Sequence, residues 1–133
     1  MKRKINLLSL LFFLCLIFVS CKKKPFDFRN KIIGDWEFRV NRSELNTDSL
    51  GYHHQDLLTY QGNIKYGSEK DEITIEYTPE NSITLKMDKE KQLSGFPTHY
   101  SGGHFIGTDS LYLYLRWGGL GGGITHIVEG KKQ

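Results

Sequence analysis

The sequence predicts an all-β domain, an antiparallel up-and-down meander of seven or eight strands that closes into a small barrel. Two observations predict this class. Apolar and polar residues alternate with period two in one segment after another, and the segments between them are short enough for hairpin connections. Because one face of each strand is apolar, the sheet must bury that face, and closure also removes exposed strand edges. A two-sheet sandwich is the alternative.

The first 20 residues have the layout of a secretory signal peptide. Residues 1–4 carry three basic side chains, and Ile5–Ser20 is apolar except for Asn6, Ser9 and Ser20. An apolar run of about 16 residues is short for a helix that crosses the hydrocarbon core, which needs roughly 20. We therefore expect residues 1–20 to be an export signal that is removed. The alternatives are an uncleaved signal anchor and an ordinary signal peptide followed by an incidental cysteine.

The signal ends in Phe18-Val19-Ser20-Cys21, which resembles the lipobox of bacterial lipoproteins, with Phe18 in place of the usual Leu. The resemblance implies that Cys21 becomes the mature N-terminus and carries acyl chains. Residues 21–30 would then be a lipidated tether to a membrane, and we expect an anchored cell-envelope protein, at the outer membrane of a gram-negative bacterium. Cys15 lies in the discarded segment, so no intramolecular disulfide is expected.

The charge of the mature chain is balanced. Three of the 18 Lys and Arg residues lie in the signal, which leaves 15 basic residues against 15 Asp and Glu residues. The one basic cluster, Lys22–Lys24, could sit against anionic head groups or be a solvated tether. A nucleic-acid binder would show a basic patch or stripe, so we expect no nucleic-acid partner. The length fits one domain over residues 31–133.

The elements can be placed in order along this domain. Gly34–Val40 alternates so that Trp36, Phe38 and Val40 share one face of a first strand. Residues 41–58 are polar and irregular, and we expect a long loop there. Further strands are expected over residues 59–66, 72–78, 82–87, 103–107, 110–117 and 123–130.

Gly34-Asp35-Trp36 on the first strand resembles the Gly-x-Trp signature of lipocalins and lipocalin-like domains. The layout of residues 31–132 is also similar to small gram-negative lipoproteins that have such a domain, which implies a lipocalin-like barrel. In lipocalins the tryptophan lies at the closed end of the barrel, under a basic residue from a late strand. The resemblance implies this role for Trp36, with Arg116 or Lys131 as the cation. The short chain argues against a roomy ligand cavity.

Aromatic residues at the expected barrel mouth are candidate ligand contacts. Phe96, His99 and Tyr100 lie in a loop between strands, and Trp117 precedes the glycine-rich segment Gly118–Gly123. Such a set would suit a small hydrophobic ligand, and bare backbone permits close approach of a ligand or partner. The alternatives are a loop that buries its own aromatic rings and a glycine-rich hairpin with a purely structural role.

The sequence shows none of the spacings that carry metal or catalytic chemistry. His53-His54 with Asp56 lacks zinc-site spacing, and adjacent strand residues point to opposite faces. Neither a phosphate-binding loop nor a Gly-x-Ser-x-Gly elbow occurs. We expect no metal, cofactor or catalytic residue. The two functions left open are a non-enzymatic domain that binds a small hydrophobic ligand, and a structural or inhibitory envelope protein that contacts a protein partner.

Overall fold

The computed structural model describes residues 25–46, 52–119 and 121–133, and in these ranges eight antiparallel strands form one sheet that curls into a nearly closed barrel. A short 3-10 helix, Phe28–Lys31, precedes the first strand. The strands are β1 Gly34–Asn46, β2 Tyr52–Tyr66, β3 Glu72–Glu76, β4 Ser82–Met87, β5 Leu93–Ser94, β6 Gly102–Ile106, β7 Ser110–Gly119 and β8 Gly122–Lys132.

Strands that follow one another along the chain are neighbours in the sheet. The first and last strands also pair with each other, so β1 lies between β2 and β8, and Trp36 is opposite both Gly62 and Lys132. The remaining gap, between β5 and β6, is spanned by a bridge between Gln92 and His104. The expected meander and barrel are therefore confirmed, and β5 is a short strand that the sequence analysis did not predict.

The inward-facing side chains form one packed core. Trp36, Phe38 and Val40 are fully buried, as their period-two spacing predicts. The other buried apolar side chains are Ile32, Ile64, Ile73, Ile75, Tyr77, Leu85, Met87, Leu111, Leu113, Leu115 and Val128. These residues occupy the barrel interior, while their polar neighbours in sequence form the outer face.

The prediction of a long loop over residues 41–58 was wrong. β1 and β2 pair without interruption from Gly34 opposite Ile64 to Asn46 opposite Tyr52. This part of the hairpin extends beyond the packed core, so both of its faces carry polar residues and no apolar alternation marks it as a strand. Residues 47–51 lie outside the described ranges.

Four strands continue past the core at this end of the barrel, and we call them the projecting sheet. It comprises residues 41–46 of β1, 52–58 of β2, 116–119 of β7 and 122–127 of β8. Its strand order is β2-β1-β8-β7. The barrel is therefore open at this end, and the projecting sheet presents two accessible faces.

The opposite end is closed by the 3-10 helix. The sequence pattern placed residues 25–30 in a tether, but Asp27 caps the helix and Arg29 is only 1% exposed. The Arg29 guanidinium donates to the Asp27 carboxylate at 2.9 and 2.6 Å, and to the carbonyls of Glu69 and Glu72 at 3.0 and 2.7 Å. Trp36 lies at the same end, where its indole N–H donates to the carbonyl of Ile32 at 2.8 Å.

Candidate functional site

The inner face of the projecting sheet forms a mouth at the open end of the barrel. A pocket of about 350 Å³ lies there, between the sheet and the turn that connects β3 with β4. Its lining side chains are Arg42, Ser43, Glu44, His54, Glu80, Asn81, Trp117, Ile124 and His126. Charged and amide groups outnumber apolar ones in this set, so the mouth is a polar site with a small aromatic and aliphatic patch.

A buried polar pair forms the floor of the mouth. His126 is 6% exposed, and its Nδ1 lies 3.1 Å from the Tyr77 hydroxyl. The Tyr77 and Trp117 rings both meet the His126 ring edge-on, at centroid distances of 5.8 and 5.1 Å. A neutral histidine has one donor and one acceptor nitrogen. If the Tyr77 hydroxyl donates to Nδ1, the Nε2 proton is left for a second partner.

Burial keeps both members of this pair uncharged. It raises the pKa of Tyr77 to about 12. It also lowers the pKa of His126, and the positive charge of Arg42 lowers it further. At neutral pH the floor of the mouth therefore offers uncharged hydrogen-bonding groups between aromatic rings.

Charged groups surround this uncharged floor. Arg42 and Asp56 face each other across β1 and β2, with 3.5 Å between guanidinium and carboxylate. The same carboxylate lies 2.9 Å from Nε2 of His54. Arg42 and His54 are both only partly shielded from water, so their contacts with Asp56 contribute little to stability.

The stability of the protein is expected to decrease with acidification because of His126. The unfolded chain binds this proton near pH 6.5, whereas the folded protein binds it only at lower pH. The stabilisation is therefore present above about pH 6.5 and is lost as the pH falls through the lower folded value. Urea unfolding followed by circular dichroism between pH 8 and pH 5 would measure it. An unchanged pH dependence in His126→Phe would contradict the assignment.

The outer face of the projecting sheet carries a second, larger depression of about 520 Å³. Leu45, Tyr100 and Arg116 line it together with bare backbone at Gly118 and Gly123. Tyr100 is 59% exposed and Leu45 is 46% exposed. This outer groove is therefore wide, open to solvent and partly apolar.

The structure does not bring the four candidate ligand residues into one site. Phe96 is half-buried and packs against the core. His99 and Tyr100 are exposed, with their ring centroids 3.8 Å apart, on the outer side of the sheet. Trp117 lies in the inner mouth. The loop itself is held in place, because Thr98 and Ser101 hydrogen-bond to the backbone of Arg116.

The cation that the resemblance implied over Trp36 has other contacts in this structure. The Arg116 guanidinium lies 5.7 Å from the centre of the Tyr100 ring. Lys131 donates to Asp109 at 2.6 Å. The buried arginine at the closed end is Arg29, which came from the segment predicted to be a tether.

Gly34 has a φ of 137°, a conformation that favours glycine. Cys21 lies outside the described residues.

Glycines shape the hairpin between β7 and β8. Gly118 has a φ of 112°, and a Cβ there would lie 2.4 Å from the Gly122 carbonyl oxygen. Any side chain at this position would clash with the backbone of the neighbouring strand. The tight approach of these two strands therefore explains why the segment is rich in glycine. Its bare backbone also lines the outer groove.

Among the residues of the mouth, sequence reasoning named only Trp117 as a ligand contact, and Arg42 and Tyr77 show why the others were missed. Arg42 continues the inward row of Trp36, Phe38 and Val40, and extending that period by one step would have placed it there. Tyr77 continues the inward row of β3 in the same way. The loop prediction for residues 41–58 stopped the first extension, and the polar end of Tyr77 gave no signal of its partner.

The described residues contain no group of three His, Cys, Asp or Glu side chains that could hold a metal ion. Within the same residues, no helix is long and apolar enough to cross a membrane. Comparisons of the chain with family models, with curated proteins and with solved structures gave no match. The chemistry of the mouth and of the projecting sheet is therefore the basis for a function.

Proposed function

We propose that this protein is a lipid-anchored lipoprotein of the cell envelope whose barrel is a non-enzymatic module that contacts a protein partner through the projecting sheet. One observation carries the proposal. Packed side chains occupy the barrel interior, whereas the projecting sheet exposes large apolar side chains, with Leu45, Leu57 and Ile124 at 46%, 64% and 42% exposure. Leu45 and Leu57 lie on the outer face of the projecting sheet and Ile124 lies on its inner face. Exposed apolar surface that is rimmed by polar residues is typical of interaction sites.

The outer groove has the composition of a protein interface. Tyr100 and Arg116 lie in contact at its rim. Tyrosine and arginine are enriched in the residues that dominate binding energy, because they combine a large contact area with directional hydrogen bonds. Glycine backbone at Gly118 and Gly123 lets a partner approach the sheet closely. A protein that rests on this groove would therefore bury an apolar patch and retain polar contacts at its edge.

The address of the protein rests on its first residues. A cationic start, an apolar segment and the lipobox-like Phe18–Cys21 support export and lipid attachment at Cys21. Two or more acyl chains anchor a protein stably where one chain gives only marginal binding. Lys22–Lys24 would add attraction of about 1 kcal/mol each near an anionic surface. The outer membrane of a gram-negative bacterium is the proposed location.

The test is photo-crosslinking in intact cells from a photoreactive residue at position 45, in the wild-type chain and in Cys21→Ser. With Cys21 present, we expect a mature protein in the membrane fraction and an adduct of higher mass at position 45. With Cys21→Ser, we expect a soluble or uncleaved product and loss of the adduct, because the barrel no longer reaches its place at the membrane.

Position 129 provides the matched control, since Glu129 is exposed on the same outer face of the sheet but lies nearer the closed end. Adducts of equal yield from positions 45 and 129 would contradict the proposal that the projecting sheet is the contact surface. A mature, membrane-bound Cys21→Ser protein would contradict the proposal that lipid is attached at Cys21.

A second candidate function is the binding of a small molecule in the mouth. The observation that favours it is the pocket of about 350 Å³ with Trp117 and Ile124 as apolar surface. The uncharged Tyr77–His126 pair adds a hydrogen-bonding group. Mass spectrometry of small molecules extracted from the protein purified from its native membrane would identify such a ligand, and an empty mouth would count against it.

A further inference from the structure

β2 has one edge that the barrel leaves open. β3 pairs with β2 only at residues 63–66, although β2 begins at Tyr52. In the described part of the chain, no strand pairs with residues 53–61 on that side, and we call this stretch the β2 edge. Six of its nine side chains are exposed, and five of them are His53, His54, Gln55, Leu57 and Thr59. Gln61 is exposed nearer the core.

The hydrogen-bonding groups of the β2 edge can be assigned from the ladder that continues it. Gly67 donates its backbone N–H to the carbonyl of Glu72 at 2.8 Å, one step beyond the paired residues of β2 and β3. Because antiparallel pairs alternate, the odd-numbered residues of β2 direct their backbone groups toward β3. Gln55, Leu57 and Thr59 therefore direct theirs outward from the edge.

The β2 edge lacks most of the features that protect natural edge strands. Such edges are blunted by charged side chains, above all lysine, by proline, by a bulge or by inward-pointing charges. Asp56 is an inward-pointing charge, and it is held by Arg42 and His54. Residues 52–62 contain no lysine, arginine or proline, and their pairing with β1 runs without a bulge. Leu57, at the centre of the edge, is 64% exposed. An edge of this length without lysine, proline or a bulge is a template for one more strand.

We propose that the occupant of this edge is the β2 edge of a second copy of the chain, paired antiparallel about a two-fold axis at Leu57. The interaction is additional to the protein partner and does not depend on it. Both copies then contribute the same surface, as a two-fold interface requires. The two projecting sheets become one continuous sheet.

The sequence of the edge fits this register. A two-fold axis at Leu57 places Leu57 beside its own counterpart and Gln55 opposite Thr59, so each outward backbone group meets a complementary one. Asp56 is then opposite Leu58. An axis at Asp56 would instead place two carboxylates side by side, which is destabilising. The outer-face row from His53 to Gln61 contains no carboxylate, ammonium or guanidinium group. No such charge in this row therefore repels its own copy.

Disulfide trapping tests both the dimer and its register. In the full-length chain, expressed in a gram-negative host and extracted with detergent, Leu57→Cys is expected to form a cross-linked dimer under mild oxidation. Directly opposed residues have Cα atoms about 5.5 Å apart, which a disulfide can span. Thr59→Cys is the matched control, since it is exposed on the same face but lies about 14 Å along the strands from its counterpart.

A proline variant provides a measurement that needs no cysteine. The N–H of Thr59 points outward, so Thr59→Pro should leave the pairing of β2 with β1 intact while removing two hydrogen bonds from the dimer. We expect dimerisation, measured by light scattering, to weaken roughly tenfold or more with an unchanged circular dichroism spectrum.

Four outcomes would overturn the dimer. These are a monomer at all concentrations, equal cross-linking of Leu57→Cys and Thr59→Cys, cross-linking of neither variant, and a dimer of undiminished affinity in Thr59→Pro. A heteromeric adduct at position 45 would be unaffected by any of them, so the failure of this inference can be told apart from the failure of the proposed partner contact.

Discussion

Trp36→Ala is expected to lower the free energy of unfolding by about 3–5 kcal/mol, the usual cost of deleting a large buried aromatic side chain. Trp36 is fully buried, stacks on Phe38 at 6.3 Å between centroids and contacts Phe105 at 6.0 Å. Its indole N–H also satisfies the carbonyl of Ile32. The variant therefore leaves a cavity and a buried carbonyl without its donor, and both effects lower the free energy of unfolding.

Urea unfolding followed by circular dichroism is the suitable measurement, because the variant removes one of the two tryptophan fluorophores. Trp117→Ala is the matched control, since Trp117 is only partly buried at the mouth and should cost less. Near-wild-type stability of Trp36→Ala would contradict the lipocalin-like interpretation of Gly34-Asp35-Trp36.

Arg29→Met is expected to destabilise the fold by roughly 3–5 kcal/mol, because it breaks a buried ion pair by removing one partner. The guanidinium joins the Asp27 carboxylate to two carbonyls of the β2–β3 connection, and it lies 4.7 Å from the centre of the Tyr66 ring. The hydrogen bond that Arg29 donates to the Asp27 carboxylate raises the pKa of Arg29, which therefore stays charged. Methionine would fill part of the volume but leave the carboxylate without its cation.

Two further variants separate charge from geometry at this site. Arg29→Lys keeps the charge but cannot form the forked contact, so we expect an intermediate loss of stability. Arg39→Met removes an exposed arginine from the outer face of β1 and should change stability by less than about 0.5 kcal/mol. Equal stability of Arg29→Met and Arg39→Met would show that Arg29 does not hold the closed end together.

The barrel could be predicted where a strand has one apolar and one polar face. Leu111, Leu113 and Leu115 are buried as their spacing predicts, because burial of one face imposes period two on the sequence. The same rule fails over residues 41–58, where both faces meet water and no period remains. It also fails for Arg29, whose burial depends on carbonyls 40 and 43 residues away along the chain.

The candidate site was less predictable than the fold for a related reason. Phe96, Tyr100 and Trp117 are all aromatic residues, but the sides of the sheet on which Phe96 and Tyr100 lie depend on the path of the loop before β6. That path is fixed because Thr98 donates a hydrogen bond to the carbonyl of Arg116 and Ser101 accepts one from its N–H, and no local sequence pattern predicts these contacts. The lipid attachment at Cys21 stays a prediction.

The position of β1 between β2 and β8 governs when this barrel can form. β8 contains residues 122–132, so the first strand receives its second partner only after a segment much further along the chain than β2 has become available. Contacts between such distant segments make folding slow relative to a fold with local contacts. Pairing of β1 with β2 can precede closure, but the barrel closes only when β8 adds to the other edge of β1.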